Sequence, residues 1–139
     1  SEMLRKAYDQ GVPILCGTES GFSVTPYGQW HYREMEILMK EMGFTALEAI
    51  KSSTSVNAYA MRLEGEIGRV EEGAFADLII VSTDPTKDIT SLGDQEKIKM
   101  VMKSGEIQKF EEEMNRVPIS GWRVVNYGQI LSKDLVNKK

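Results

Sequence analysis

The stretch from Gly11 to Pro26, GVPILCGTESGFSVTP, constrains the fold of this chain more than any other. Its first part is a short apolar run, Val12 to Cys16, which is typical of a parallel β-strand covered on both faces. Its second part is polar, rich in glycine, and carries the carboxylate of Glu19. Because the chemistry of α/β proteins lies at the carboxyl ends of their strands, Glu19 is a candidate catalytic residue. The alternative is a solvated loop acid, and the stretch alone does not decide between the two.

Size and charge narrow the class of protein. The 139 residues suit one domain with a modest core but fall short of the roughly 250 residues of a complete (β/α)8 barrel. The net charge of −4 gives no basic footprint for nucleic acid and no polybasic face for a membrane, so we expect small-molecule or protein partners. No stretch approaches the roughly 20 apolar residues of a transmembrane helix, and residues 1–10 are too charged for a signal peptide. We therefore expect a cytoplasmic protein.

The single cysteine, Cys16, cannot form an internal disulfide, which favours a reducing compartment. Its position in an apolar strand favours a small core residue over a nucleophile.

Hydrophobic spacing predicts four helices. Residues 2–10 have helical spacing and end at Gly11, and residues 30–42 place four apolar side chains along one stripe. Thr45 and Glu48 have the spacing of a capping box that starts a third helix. Hydroxyl side chains at 52–55 favour a break and a fresh cap before a fourth helix over 56–63. The long loop between the first strand and the second helix, residues 18–29, is interpreted as a site loop.

The remainder of the chain has the alternation of β-strands. The sequence predicts a small antiparallel layer, polar outside and apolar inside. Its expected strands are 67–70, ending in a turn at 71–73, then 76–81, and a hairpin of 97–103 and 106–110 joined at Ser104 and Gly105. The tail from residue 111 onward could add an edge strand or wrap the body, and the pattern does not assign it.

In this order, the elements resemble the C-terminal end of the metal-dependent amidohydrolase superfamily, especially its imidazolonepropionase-like and prolidase-like branch. GVPILCGTES is similar to the last barrel strand and its GTD-type motif, and the run TALEAIKSSTSVNA is similar to the helices that follow. GEIGRVEEGAFADLIIVSTDP and KIKMVMKSGEI resemble the strands that leave the barrel and enter a small sandwich. The resemblance covers residues from about Met3 to about Phe110.

The resemblance implies an α/β fold: the C-terminal piece of a (β/α)8 metallo-hydrolase barrel, with its last strand and following helices, plus the returning strands of a small β-sandwich. The expected segments are 1–64 for the barrel, 65–110 for the sandwich and 111–139 for a C-terminal extension. It also implies a hydrolase of amide or peptide-type C–N bonds that uses zinc or another divalent metal to activate water.

The resemblance assigns Glu19 as the carboxylate that ligates the metal and shuttles a proton. The family has an Asp at this position, so one methylene displaces the carboxylate by about 1.5 Å, and misplacement by about 1 Å can cost about a hundredfold in rate. The family's histidine ligands belong to barrel strands that precede this region, and His31 is the only histidine here. Since zinc takes three or four ligands, we expect this chain alone to bind no metal and to be inactive.

Two residues of the loop and the following helix are candidates for substrate binding, Tyr27 and His31. His31 either faces the substrate pocket of an intact barrel or has a surface or capping role. Tyr27 and Trp30 either line the same pocket or pack as core aromatics.

Three functions remain open from the sequence. The leading interpretation is a fragment of an amidohydrolase whose exposed surfaces cause it to form homo-oligomers. The others are a stand-alone binding module without catalysis and one half of a split enzyme completed by a partner chain. The substrate would be a small amide or peptide-type molecule.

Overall fold

The structure, a computed structural model, describes residues 2–21, 25 and 30–108. The chain divides into two units, each described by itself: the larger holds the described residues of 2–17 and 31–108, and the smaller holds 18–21, 25 and 30. Among the described residues, no helix is long and apolar enough to cross a membrane. Tyr27 and the tail 111–139 lie outside the described residues, so the predictions made for them stay predictions.

Four α-helices form where the apolar spacing predicts them. The second carries the buried stripe of Met35, Leu38 and Met42, and Gly43 follows it with φ +67°. Their bounds are α1 Glu2–Asp9, α2 Trp30–Met42, α3 Ala46–Ser53 and α4 Ser55–Met61. The helix predictions are therefore confirmed, with ends that shift by one or two residues.

The capping box before α3 is confirmed atom by atom. The Glu48 backbone N–H donates to Thr45 Oγ1 at 3.2 Å, and the Thr45 backbone N–H donates to Glu48 Oε2 at 2.7 Å. These bonds satisfy two donors that a helix start otherwise leaves free.

The predicted hydroxyl cap before α4 is wrong. The Oγ1 of Thr54 donates backwards to the carbonyl oxygen of Ile50 at 2.8 Å, and Thr54 makes no side-chain bond to α4. The hydroxyl competes for the backbone, as predicted, but it serves the end of α3 instead of the start of α4.

A three-stranded antiparallel sheet follows the helices, in the order β1-β2-β3. The strands are β1 Leu78–Val81, β2 Ile98–Lys103 and β3 Glu106–Gln108, and Leu78 pairs with Met102. The turn between β2 and β3 has positive φ at both Ser104 and Gly105, the geometry that matches the right-handed twist of a hairpin. The hairpin prediction is confirmed.

The predicted strand over 67–70 does not form. Ile67 makes only an isolated bridge to Glu64, and no ladder extends from it. The expectation of an apolar inside and a polar outside also fails in part, because Ile79, Ile80 and Ile107 are each more than half exposed. In the part of the chain that the structure describes, nothing covers these three apolar side chains of the sheet.

The run Val12 to Cys16 is not assigned to a strand or a helix. Val12 and Leu15 are exposed, whereas Ile14 and Cys16 pack against the core. No ladder pairs with this run in the part of the chain that the structure describes, so the predicted burial on both faces is wrong here. Only Ile14 and Cys16 of this run pack against the core.

The core joins α2, α3 and a 3₁₀ helix, Ile89–Gly93, that the sequence pattern did not predict. Ala49 of α3 is fully buried, and Ile89 and Leu92 of the 3₁₀ helix close the other side. The buried residues of this core are Met35, Leu38, Met42, Phe44, Ala49, Ile89 and Leu92. Tyr8 of α1 joins it through the Phe44 ring, with centroids 4.3 Å apart.

Replacing Thr45 with Ala should lower the free energy of unfolding by about 1 kcal/mol, because the variant loses the hydroxyl that accepts from the Glu48 N–H. Urea unfolding measures the loss. Thr45→Ser keeps the hydroxyl and is the matched control. A Thr45→Ala variant as stable as the Ser variant would contradict the capping role.

The same cap predicts a pH dependence. The bonds from Thr45 hold the pKa of Glu48 below its ordinary value. A carboxyl group whose pKa is lower in the folded state stabilises the fold above its unfolded pKa of about 4.3, and this contribution is lost as the pH falls through the folded pKa. Thr45→Ala keeps the backbone bond, which has the largest effect, and loses the bond from Thr45 Oγ1 to Glu48 Oε2 at 2.9 Å. The part of the stability difference between wild type and Thr45→Ala that comes from this hydroxyl bond should therefore disappear below about pH 4, and the difference should shrink. A stability difference between the two proteins that stays constant down to pH 2 would argue against this contribution of the Glu48 carboxylate.

Gly68 should tolerate no side chain. It has φ +78°, and a Cβ built on it would lie 2.9 Å from the carbonyl carbon and oxygen of Thr54. Gly73 has φ +90° with nothing within 4 Å of such a Cβ, so Gly73→Ala is the matched control that carries only the cost of the backbone conformation. Gly68→Ala should destabilise the fold by about 1–3 kcal/mol more than Gly73→Ala in urea unfolding. Equal losses of stability in the two variants would exclude the close approach of Gly68 to the Thr54 carbonyl.

Candidate functional site

The end of the extended segment, Cys16 and Gly17, is held between two helices, and we call these two residues the anchor. The Cys16 N–H donates to the Ser52 carbonyl of α3 at 3.3 Å. The Gly17 N–H donates to Oε2 of Glu34 on α2 at 2.6 Å. Consecutive peptide groups are thus bound by consecutive helices.

The Cys16 side chain is part of this packing. Its Sγ accepts a hydrogen bond from Ser53 Oγ at 3.0 Å. Burial raises the pKa of the thiol, and the Ser53 hydrogen bond opposes this with a smaller effect. Because the nucleophile is the thiolate, a raised pKa makes Cys16 a poor one. The geometry agrees with the interpretation of Cys16 as a small core residue.

Glu19 lies two residues beyond the anchor, in a turn built from hydroxyl side chains. The Ser20 N–H donates to Thr18 Oγ1 at 3.3 Å, and the two hydroxyl oxygens are 2.7 Å apart. Thr25 Oγ1 donates to the Glu19 carbonyl at 3.0 Å, and the Gly21 N–H donates to the Thr25 carbonyl at 2.9 Å. These bonds hold the backbone around Glu19 while its side chain is exposed.

The backbone of Glu19 has φ +48°, in the left-handed region that residues with a Cβ rarely adopt. Such a conformation costs about 1–2 kcal/mol and persists only where surrounding bonds enforce it. Strained residues of this kind can mark functional sites, but Arg62 and Ser104 also have positive φ. The catalytic role of Glu19 stays a prediction.

His31 occupies the first turn of α2. Its Nε2 lies 3.0 Å from the Leu92 carbonyl, and its ring meets the Tyr32 ring edge-on with centroids 5.4 Å apart. Because a carbonyl oxygen only accepts, the Nε2 must carry the proton. This bond ties α2 to the 3₁₀ helix. His31 belongs to the larger unit and Glu19 to the smaller one, and each is described by itself. The substrate-binding role of His31 stays a prediction, as does that of Tyr27.

The sequence analysis missed Glu34 and the 3₁₀ helix as parts of the site. Glu34 precedes Leu38 by four residues, so it lies on the flank of the buried stripe of α2. A carboxylate at such a position is a signal that it has a partner, because an unpaired buried charge is costly. The Leu92 carbonyl had no comparable signal, since a backbone acceptor is the same in every residue.

The described residues do not supply a metal centre. Among residues 2–21, 25 and 30–108, no group of three or more His, Cys, Asp or Glu side chains could hold a metal ion. The whole sequence has one histidine and one cysteine. Zinc takes three or four nitrogen, sulfur or oxygen ligands, so the residues present do not fit it.

Solved structures of hydrolases share this fold. A protein from Bifidobacterium longum, solved as a candidate prolidase, superposes with a TM-score of 0.69 and is 31% identical over 76% of this chain. An Xaa-Pro dipeptidase with methionine bound in its active site superposes with a TM-score of 0.65 and is 36% identical over 78% of this chain. The ochratoxinase of A. niger superposes with a TM-score of 0.63 and is 27% identical over 74% of this chain. These matches span only 25%, 25% and 23% of the respective neighbours.

The sequence comparison agrees with the structural one. The family model described as Amidohydrolase family matches residues 1–108. A comparison with curated proteins gave no match. Members of this superfamily are generally metal-dependent, and the match covers the anchor, the Glu19 turn, the helices and the sheet. The chain therefore belongs to the amidohydrolase family.

Proposed function

We propose that this chain is part of a metal-dependent hydrolase that cleaves amide or peptide-type C–N bonds, and that the enzyme acts on small peptides in the manner of a prolidase. The family match and the two neighbours described as prolidase and Xaa-Pro dipeptidase support this assignment. The observation that carries the role of this segment is the left-handed Glu19, held in a turn directly after the anchored extended segment.

In this proposal the extended run Val12 to Cys16 is the last barrel strand. Ile14 and Cys16 pack against the core, and Val12 and Leu15 are exposed. Exposed apolar side chains of this kind are what a neighbouring strand would cover. The sheet β1–β3 would then be the returning part of the sandwich, with residues 65–110 as its segment.

Glu19 would act as the general acid and base of the reaction. A water molecule attacks the carbonyl carbon of the scissile bond while the Glu19 carboxylate accepts a proton from that water. The protonated carboxyl then gives the proton to the nitrogen as the C–N bond breaks, so that an acid and an amine leave. Zinc or another divalent ion is expected in the whole enzyme, but the donors described here do not fit it. No step is assigned to it in this chain.

Exposed apolar side chains favour a second candidate, in which a separate chain completes the site. Met3, Leu47 and Val70 are exposed by 82%, 67% and 86%. Exposed apolar side chains of this kind fit contact with a partner chain or with a second copy in a homo-oligomer. A cytoplasmic location stays a prediction that no structural feature tests.

Glu19→Ala in the whole enzyme should lower kcat by at least about a hundredfold, because general acid–base catalysis contributes roughly 10²–10⁴-fold. The measurement is hydrolysis of an Xaa-Pro dipeptide and of an N-acyl amino acid, with the metal content of each sample determined alongside. Glu106→Ala removes an exposed carboxylate of the hairpin and is the matched control. A Glu19→Ala enzyme with wild-type kcat and metal content would overturn the role of Glu19.

A further inference from the structure

We propose that Asn57 of α4 is a point of contact between this segment and the rest of the enzyme, and that its carboxamide oxygen accepts a hydrogen bond from an N–H group there. This inference rests on the proposed function in one respect, because it takes the chain to be part of a larger hydrolase. Every residue whose contacts carry it belongs to the larger unit.

The carboxamide of Asn57 has its nitrogen paired and its oxygen unpaired. The Nδ2 donates to the Ser53 carbonyl oxygen at 3.4 Å. The Oδ1 is buried and has no hydrogen-bond partner in the part of the chain that the structure describes. Exchanging the two atoms would bring Oδ1 against the Ser53 carbonyl, where two acceptors repel each other, so the oxygen is the atom that needs a donor.

The local donor that could serve this oxygen is already in use. Asn57 is the third residue of α4, and in a capping box the side chain at this position accepts from the backbone N–H of the cap residue, here Thr54. The Thr54 N–H donates instead to the Lys51 carbonyl oxygen at 3.2 Å, at the end of α3. The break between the two helices therefore leaves no capping donor for Asn57 Oδ1.

An unpaired buried oxygen costs stability. Its desolvation is not offset by a hydrogen bond, and native proteins pair nearly all such atoms. An apolar residue at position 57 would avoid this penalty, as the buried Ala58 beside it does. A donor that reaches the oxygen in the whole enzyme explains why an asparagine stands there.

The contacts of Asn57 lead to the run that the proposed function assigns as the last barrel strand. Ser53, which accepts from Asn57, also donates its Oγ to the Sγ of Cys16 at 3.0 Å. In a barrel, such a strand has a neighbour on each side. Asn57 is half-buried, and its bond to Ser53 is longer than the usual range of about 2.7–3.2 Å, so the carboxamide can still turn toward a donor.

Amide hydrogen exchange in α4 tests the contact when the same variant is measured in the 139-residue chain and in the whole enzyme. In the chain, Asn57→Leu should leave the exchange of the Ala58 N–H, which donates to the Thr54 carbonyl, unchanged or slower. In the whole enzyme, Asn57→Leu should accelerate this exchange by about tenfold or more, because a buried donor loses its acceptor. The long bond to Ser53 is lost in both proteins, so the contrast between them reports on Oδ1.

Two further variants keep the test decisive. Asn57→Ala removes the same oxygen without adding bulk, and it should show the same contrast even where a Leu side chain does not fit. Lys51→Leu adds an apolar side chain at an exposed position of α3 and should change the two proteins alike. Equal acceleration of exchange in the chain and in the whole enzyme, or no acceleration in the whole enzyme, would overturn the inference.

The failure of this inference is distinguishable from the failure of the proposed function. If Glu19→Ala keeps wild-type kcat while Asn57→Leu shows the contrast, the catalytic assignment fails and the contact stands. If Glu19→Ala is inactive while Asn57→Leu and Asn57→Ala act alike in the two proteins, the proposed function stands and the contact fails.

Discussion

The apolar stripe of α2 is the feature on which the larger unit depends. Met35, Leu38 and Met42 are buried along one face, and they share one buried cluster with Phe44, Ala49, Ile89 and Leu92. Burying a Leu or Met side chain contributes about 1.5–3 kcal/mol, so this stripe is a large share of the stability available to so small a core. The fully buried Ala49 permits the close approach of α3.

The candidate site follows from that packing. Glu34 of α2 and the Ser52 carbonyl of α3 present two acceptors to the two N–H groups of the anchor. In the turn that follows in sequence, bonds from the hydroxyl groups of Thr18 and Thr25 hold the backbone around Glu19, which has a positive φ.

Much of the helical part could be predicted from the sequence, and less of the rest. The stripe of α2 and the Thr45–Glu48 cap are local patterns within a few residues, so spacing alone identifies them. The hairpin also has a local signal, in Ser104 and Gly105. The extended run Val12 to Cys16 was expected to be a buried strand, but strand pairing depends on a distant neighbour that spacing cannot supply.

The site shows the same division. Glu19 could be proposed because a carboxylate after an apolar run is visible in the sequence. Its positive φ was not foreseen, since the bonds around it involve Thr25. Glu34 was overlooked because its partner is a backbone N–H 17 residues away. The 3₁₀ helix Ile89–Gly93 has only two buried apolar side chains, too few for a period to be recognised.

The central claim is that this segment works as one part of a larger amidohydrolase, and the most direct test is the intact mass of the native gene product with peptide mapping on both sides of Ser1. The account predicts a mass well above the 15.6 kDa of these 139 residues, with upstream peptides that carry the histidines of a metal site. A native product of 15.6 kDa that starts at Ser1 would contradict it.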